Sequence, residues 1–300
     1  LGSRGLGDVY KRQEYYIGKD YSLGGITLLC RFDGQRVTMA SQMSEADETV
    51  SSLYSVKSEQ ATMLSFDTYN YLVHYFGQPQ GSMSDDPNGT LGGDYEFIIS
   101  SASAERIELK GKKYGNRIVM KALTEDQTWK QYLTKIKKVE DDAFFYEYDL
   151  LMDGLYTGQM IRSNYTFIVT YYDEIGKVHQ KTVPFMFTAD GLRFHEPVTI
   201  DGQTMQNFVW KNELISFVCT DEGATGVKLA GVYTAGYQSY DYYPGTYQMD
   251  FYRLNDETGQ LEVASQEVRL LKNEDGKSYW LKGLEYDILV MYDKPRGGLS

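Results

Sequence analysis

Behind Gly92-Gly93, residues Tyr95, Phe97 and Ile99 alternate with Asp94, Glu96 and Ile98. Ile107 and Leu109 then alternate with Arg106, Glu108 and Lys110, and Ile118, Met120 and Ala122 repeat the phase. A period of two fits an extended strand with one buried face and does not fit a helix. Short Ser/Ala and Gly/Lys/Asn breaks divide this run into a three-strand antiparallel meander. Five Asp-Gly steps, at Asp33, Asp153, Asp190, Asp201 and Asp275, lie between or beside further apolar segments. Tight hairpin turns need positive φ and favour that dipeptide, so these steps also predict antiparallel pairing. A parallel architecture would require repeated helical crossovers.

One segment carries a helix signature, TEDQTWKQYLTKIKK at residues 124–138. Thr124 and Gln127 make a capping box, Glu125 and Asp126 put negative charge in the first turn, and Lys135, Lys137 and Lys138 put positive charge in the last. Trp129, Tyr132, Leu133 and Ile136 form a single stripe. The expected fold is mainly β (α+β at most): antiparallel meanders and hairpins in two β-rich halves, with the one amphipathic helix packed on the first sheet. The halves are residues 14–141, including the helix, and residues 142–300. The second half closes on a strand pattern at Tyr286, Ile288 and Val290 with no partner after it, as a truncated region would. Residues 1–13, LGSRGLGDVYKRQ, have no apolar period and resemble the translated adapter remnant found at the ends of metagenomic reading frames. They are expected to be a non-native, unpacked leader.

The net charge of −12 leaves no basic stripe for nucleic acid. No apolar run reaches the length of a membrane-spanning helix. Cys30 and Cys219 each sit inside an apolar strand-like run; two buried thiols or one long-range bridge are both open, and neither a disulfide framework nor a cysteine metal site is indicated. Tyrosine is in surplus, 27 against 13 Phe and 3 Trp. Such rings suit half-wet sheets and binding surfaces alike.

LSFDTYNYLVHYFGQP, GGDYEFIIS, IELKGKKYGNRIVM, the helix with its TW and YL, and FTADGLRFHEPVTIDG followed by FVW resemble the Bacteroidota lipoprotein family known as domain of unknown function 4302. The similarity is expected to run from GGITLLCRFDGQRVTMAS to the end of the chain. It implies export, lipid anchoring and extracytoplasmic display at the outer membrane, beside starch-utilisation-type transporters. The family's leader and lipid-attachment cysteine have no counterpart in these residues. The resemblance implies no activity and supplies no catalytic residues.

No catalytic constellation is legible. His74, His179 and His195 lack metal-ligand spacing, and no nucleophile elbow or reactive-cysteine signature occurs. The pair His195-Glu196 is the most site-like, with a structural role the simpler reading. Asp85, Asp86, Asn88 and Asp94 are hard oxygen donors suited to calcium, though an ordinary turn explains them equally. Lys110, Lys112, Lys113 and Arg117 read as a solvated hairpin tip. No cofactor and no metal site are assigned. The candidate ligand-binding residues are Tyr237, Tyr240, Tyr242 and Tyr243, within YTAGYQSYDYYPGTY, where turn-forming neighbours keep rings partly wet. The alternative is that these rings fold over their own sheet. The leading function is a non-enzymatic surface lipoprotein module that captures an oligosaccharide or peptide for an outer-membrane transporter. A hydrolase with a site built from distant loops and a structural or adhesive surface protein are the alternatives.

Overall fold

The alternating phases become the insides and outsides of closed barrels. The computed structural model describes residues 11–58, 60–78, 91–123, 128–173 and 175–300. Strands β1 (Lys11–Ile17), β2 (Gly24–Asp33), β3 (Arg36–Ser41), β4 (Val50–Ser58), β5 (Thr62–Phe66), β6 (Glu96–Ala102), β7 (Arg106–Gly111) and β8 (Arg117–Ala122) follow one another as an up-and-down barrel. It closes by antiparallel pairing of β1 with β8. A short helix, α1 (Tyr71–His74), lies between β5 and β6 and is capped by Asn70. After α2 (Trp129–Asp142), a second barrel is built from β9 (Glu147–Met152), β10 (Leu155–Ser163), β11 (Thr166–Tyr172), β12 (Val178–Phe187), β13 (Gly191–Ile200), β14 (Gln203–Lys211), β15 (Ser216–Cys219) and β16 (Val227–Val232). Both barrels fall in one compact unit, Leu1–Gly231. The other unit, Val232–Ser300, holds a five-stranded sheet of β17 (Gly245–Leu254), β18 (Leu261–Lys272), β19 (Ser278–Lys282), β20 (Ile288–Asp293) and β21 (Gly298–Leu299).

The expected meander is β6–β8, and all five Asp-Gly steps join consecutive paired strands. Both residues take positive φ only at Asp153-Gly154 and Asp201-Gly202. At Asp190-Gly191 the glycine serves close approach instead, because a Cβ there would lie 1.8 Å from the Phe208 carbonyl oxygen.

Eight strands enclose an interior that side chains can fill or that can hold one small ligand. Here side chains fill it. Tyr15, Leu28, Cys30, Phe32, Met39, Phe66, Phe97, Leu109 and Ile118 belong to the first core. Tyr148, Phe167, Phe185, Phe187, Phe194, Phe208, Phe217 and Cys219 belong to the second, with Phe167 and Phe185 stacked at 4.3 Å. Each cysteine is a free thiol buried in a different core.

Three expectations change. The helix runs from Trp129 to Asp142 rather than 124–138, and its capping box is Thr128 with Gln131; Thr124, Glu125, Asp126 and Gln127 lie outside the described residues. Its stripe joins the second core rather than the first: Tyr132, Leu133, Ile136 and Val139 cluster with second-barrel residues and with Leu29 and Ala40 of the first barrel, and Trp129 packs partly buried at the margin. A stripe's periodicity fixes which face is buried and not which sheet receives it. The boundary near residue 141 falls inside α2, and the 142–300 region divides again after residue 231.

Third, the leader is not unpacked throughout, since Lys11, Arg12 and Gln13 pair with β2 and β8. Gln13 points inward with no exposure, and neither amide atom meets a protein partner. An unpaired buried amide costs on the order of 1–3 kcal/mol. Gln13→Leu is expected to raise the urea midpoint by the equivalent of about 1–2 kcal/mol; a lowered midpoint would show that the amide is satisfied.

Candidate functional site

Buried side chains occupy both interiors, and among the described residues polar groups converge at the seam between the barrels. Strand β2 is buried on both faces: Leu28 and Cys30 face its own core, while Leu29 joins the second core. It packs along β12. Gly24 bridges Tyr165 there, and a Cβ at Gly24 would lie 1.9 Å from the Tyr165 carbonyl oxygen.

Beside this apolar contact, the outward phases of β1 and β8 meet the outward phase of β13. Glu14 is buried, accepts a hydrogen bond from Lys121 Nζ at 2.9 Å, and is ion-paired with Arg193. Arg12 Nη2 stands 3.7 Å from the same carboxylate. Burial pushes Glu14 upward, but Arg193, Lys121 and Arg12 outweigh it and hold the carboxyl below its ordinary value. His195, two residues along from Arg193, lies against Tyr16 and Tyr21 at ring distances of 4.2 and 4.5 Å. Arg117 Nη1 is 3.5 Å from its Nε2, a contact that requires Nε2 to accept. Burial, with Arg117 and Arg193 nearby, lowers the His195 pKa against the opposing pull of Glu196 and Glu14. Burial likewise raises the Tyr16 phenol to about 12. His195-Glu196 is therefore a neutral imidazole wedged between rings, with an exposed carboxylate on Arg117.

A recess of about 270 Å³ opens on this cluster, its lining including Glu14, Phe187, Asp190, Leu192, Arg193, Asn207 and Val209. Its polar wall is held rigidly. Asn207 gives its side-chain amide and its backbone N–H to Asp221, at 2.7 Å each, and Thr188 donates to Asp190 at 2.9 Å.

The candidate tyrosines lie in the other unit, and the structure separates them. Tyr240 stacks on Tyr279 at 4.6 Å and donates to the carbonyls of Asn273 and Ser278. Tyr243 donates to the Gly297 carbonyl. Both pack on the small core of Leu270, Tyr279 and Tyr292. Tyr237 is half-buried and accepts from the Tyr292 hydroxyl. Tyr242 alone among the four is largely open, at 61% exposure.

Of the other sequence candidates, Asp94 is spent. Its carboxylate accepts the backbone N–H groups of Lys113, Tyr114 and Asn116, tying the β7–β8 turn to the preceding loop. Asp85, Asp86 and Asn88 lie outside the described residues. Among the described residues no group of three His, Cys, Asp or Glu could hold a metal ion. His74 is bound to the Asn70 backbone and His179 to Asp173. Arg117 belongs to the seam rather than to a free hairpin tip, and Lys112 pairs with Glu96. Glu14, Lys121 and Arg193 were not marked by any motif. The available signal is Leu29 in ITLLCRF, an apolar residue on the otherwise polar phase of Thr27 and Arg31, which fits a strand with a neighbour on each face.

These features define a tandem β-barrel protein with filled interiors and its accessible chemistry on the outside. The chain belongs to the family described as Domain of unknown function (DUF4302), whose model matches residues 12–212. Residues 220–300 match a second family model, DUF4987, also described as a domain of unknown function, so the expected similarity does not continue to the end of the chain. No curated protein and no solved structure matches.

Two predictions follow from the geometry. Ionised Glu14 stabilises the fold above its ordinary value of 4.5, and that contribution is lost as pH falls through the lower folded value. His195 resists protonation in the fold, so stability also declines as pH drops below its ordinary 6.5. Glu14→Gln is expected to cost on the order of 3 kcal/mol at pH 7 by leaving buried cations unpaired. It should flatten the acid limb while leaving the histidine limb in place. Urea midpoints across pH test this, and an unchanged acid limb would reject Glu14 as the anchor. In the smaller unit, Tyr240→Ala should lower stability by about 2–4 kcal/mol, whereas Tyr242→Ala should stay within about 0.5 kcal/mol; equal effects in thermal melts would show that the two rings are not separated as described.

Proposed function

We propose that the chain is a non-enzymatic capture module, carried as a lipoprotein on the outer surface of a Bacteroidota cell, which holds an oligosaccharide or peptide for an outer-membrane uptake system. The observation that carries this reading is the recess between the barrels: its walls are mixed polar and apolar and rigidly held, and its acids are already engaged. Binding sites are concave, largely preformed and furnished with a few oriented polar groups. The space of about 270 Å³ suits one sugar ring or one side chain of a longer ligand. Hydrolysis of either ligand class needs a protonated acid or an activated nucleophile. Glu14, held below its ordinary value by three cations, is a poor proton donor. The hydroxyl of Thr188 in the wall donates to the Asp190 carboxylate, and the described lining of the recess contains no histidine to activate a nucleophile. Location and anchoring rest on the family resemblance. No helix among the described residues is long and apolar enough to cross a membrane.

Glycan and peptide arrays probed with the whole chain test the reading. Val209→Trp places a large ring in the recess from a partly buried, outward position of β14. It is expected to weaken the array hit seated in the recess about tenfold or more at unchanged melting temperature. If every hit survives this substitution the recess is not a capture site, and turnover of an array ligand would favour the hydrolase.

A further inference from the structure

The outer face of the second barrel carries an ordered surface that the recess does not explain. Cross-strand register lines up three rows over β9–β12. The first contains Leu151 opposite Tyr156, and Tyr172 opposite Val178. The second is Asp149, Gln159, Thr170 and Gln180, each opposite the next. The third is Glu147, Ile161, Ile168 and Thr182. Tyr156 and Tyr172 are 58% and 53% exposed. They are also close to one another and to the acids: beyond burial, the phenol of Tyr156 is pushed up by Asp149, Tyr172 and Glu147. Asp149 is itself raised by burial and by Glu147. Gln159 donates to Glu147, and Gln180 donates to Thr170 at 3.4 Å. The polar groups of these rows are acids, amides and hydroxyls, with no lysine or arginine.

We infer that this face binds a neutral oligosaccharide chain, laid over Tyr156 and Tyr172 with its hydroxyls on Asp149, Gln159, Thr170 and Gln180. An aromatic row beside a polar row matches a pyranose, which has an apolar C–H face and a rim of hydroxyls. The carboxylates accept from hydroxyl donors and repel sulfated or uronic chains. An extended peptide is disfavoured for a separate reason. Peptides commonly dock by adding a strand to a sheet edge, and a closed barrel has no edge. The face is a second site that stands apart from the recess, and it goes beyond the capture reading.

Native affinity electrophoresis of the whole chain through gels containing glycogen, xylan, galactomannan or mixed-linkage β-glucan tests it, with polygalacturonate and a lysine-rich peptide as counter-probes. The chain should be retarded by at least one neutral polysaccharide and by neither counter-probe. Tyr156→Ala and Tyr172→Ala, both at exposed positions, should each weaken retention roughly tenfold at unchanged melting temperature, while Val209→Trp retains it. Loss of retention in Val209→Trp alone would assign glycan binding to the recess and overturn the face. Retention unaffected by either tyrosine change, preference for polygalacturonate or the peptide, or no retardation by any neutral polysaccharide would overturn it as well.

Discussion

From Gly24 to Cys30 strand β2 has no wet face, and the arrangement of the larger unit depends on that constraint. A barrel strand normally buries one phase and leaves the other to water. In β2 the second phase, through Leu29, enters the neighbouring core, so the two barrels share apolar surface along β2 and β12. Polar strands then meet at the side of that contact, where Glu14 would be costly if it stood alone. Lys121 and Arg193 supply the compensation. Breaking such a buried set by removing one partner is far more damaging than its net contribution suggests. The cluster therefore acts mainly by fixing how β13 faces β1.

Buried side chains occupy both barrels. Eight-stranded barrels that carry ligands leave the interior open, and these close it with stacked and edge-on aromatic rings. At the seam and on the outer faces, strands hold side chains at fixed spacing. The tyrosine surplus has two outlets. Tyr15, Tyr16, Tyr148 and Tyr279 are fully buried; Tyr15, Tyr148 and Tyr279 direct their hydroxyls at backbone carbonyls. Others, such as Tyr156, Tyr172 and Tyr242, keep their rings in water. The smaller unit shows why tyrosine serves as core here: only Leu270, Tyr279 and Tyr292 are buried together, and hydroxyl-to-backbone bonds add what so few apolar contacts cannot.

The sequence by itself determined that the chain would be mainly β and antiparallel, because a period of two and the Asp-Gly steps are local properties that no tertiary contact has to supply. It also determined that one helix would bury the stripe through Tyr132, Leu133 and Ile136, since a stripe follows from helical pitch alone. Which core receives that stripe, that two meanders close into barrels, and that Glu14, Lys121, Arg193 and His195 meet were decided only in three dimensions. Those residues come from strands up to 179 positions apart, and each carries an outward phase that reads in sequence as an ordinary solvated one. The same holds for Tyr156 and Tyr172. They are unremarked in the chain because only cross-strand register sets them beside Asp149, Gln159 and Gln180, whereas the dense tyrosine run at 233–247 drew notice by composition while its Tyr240 and Tyr243 fold onto their own sheet.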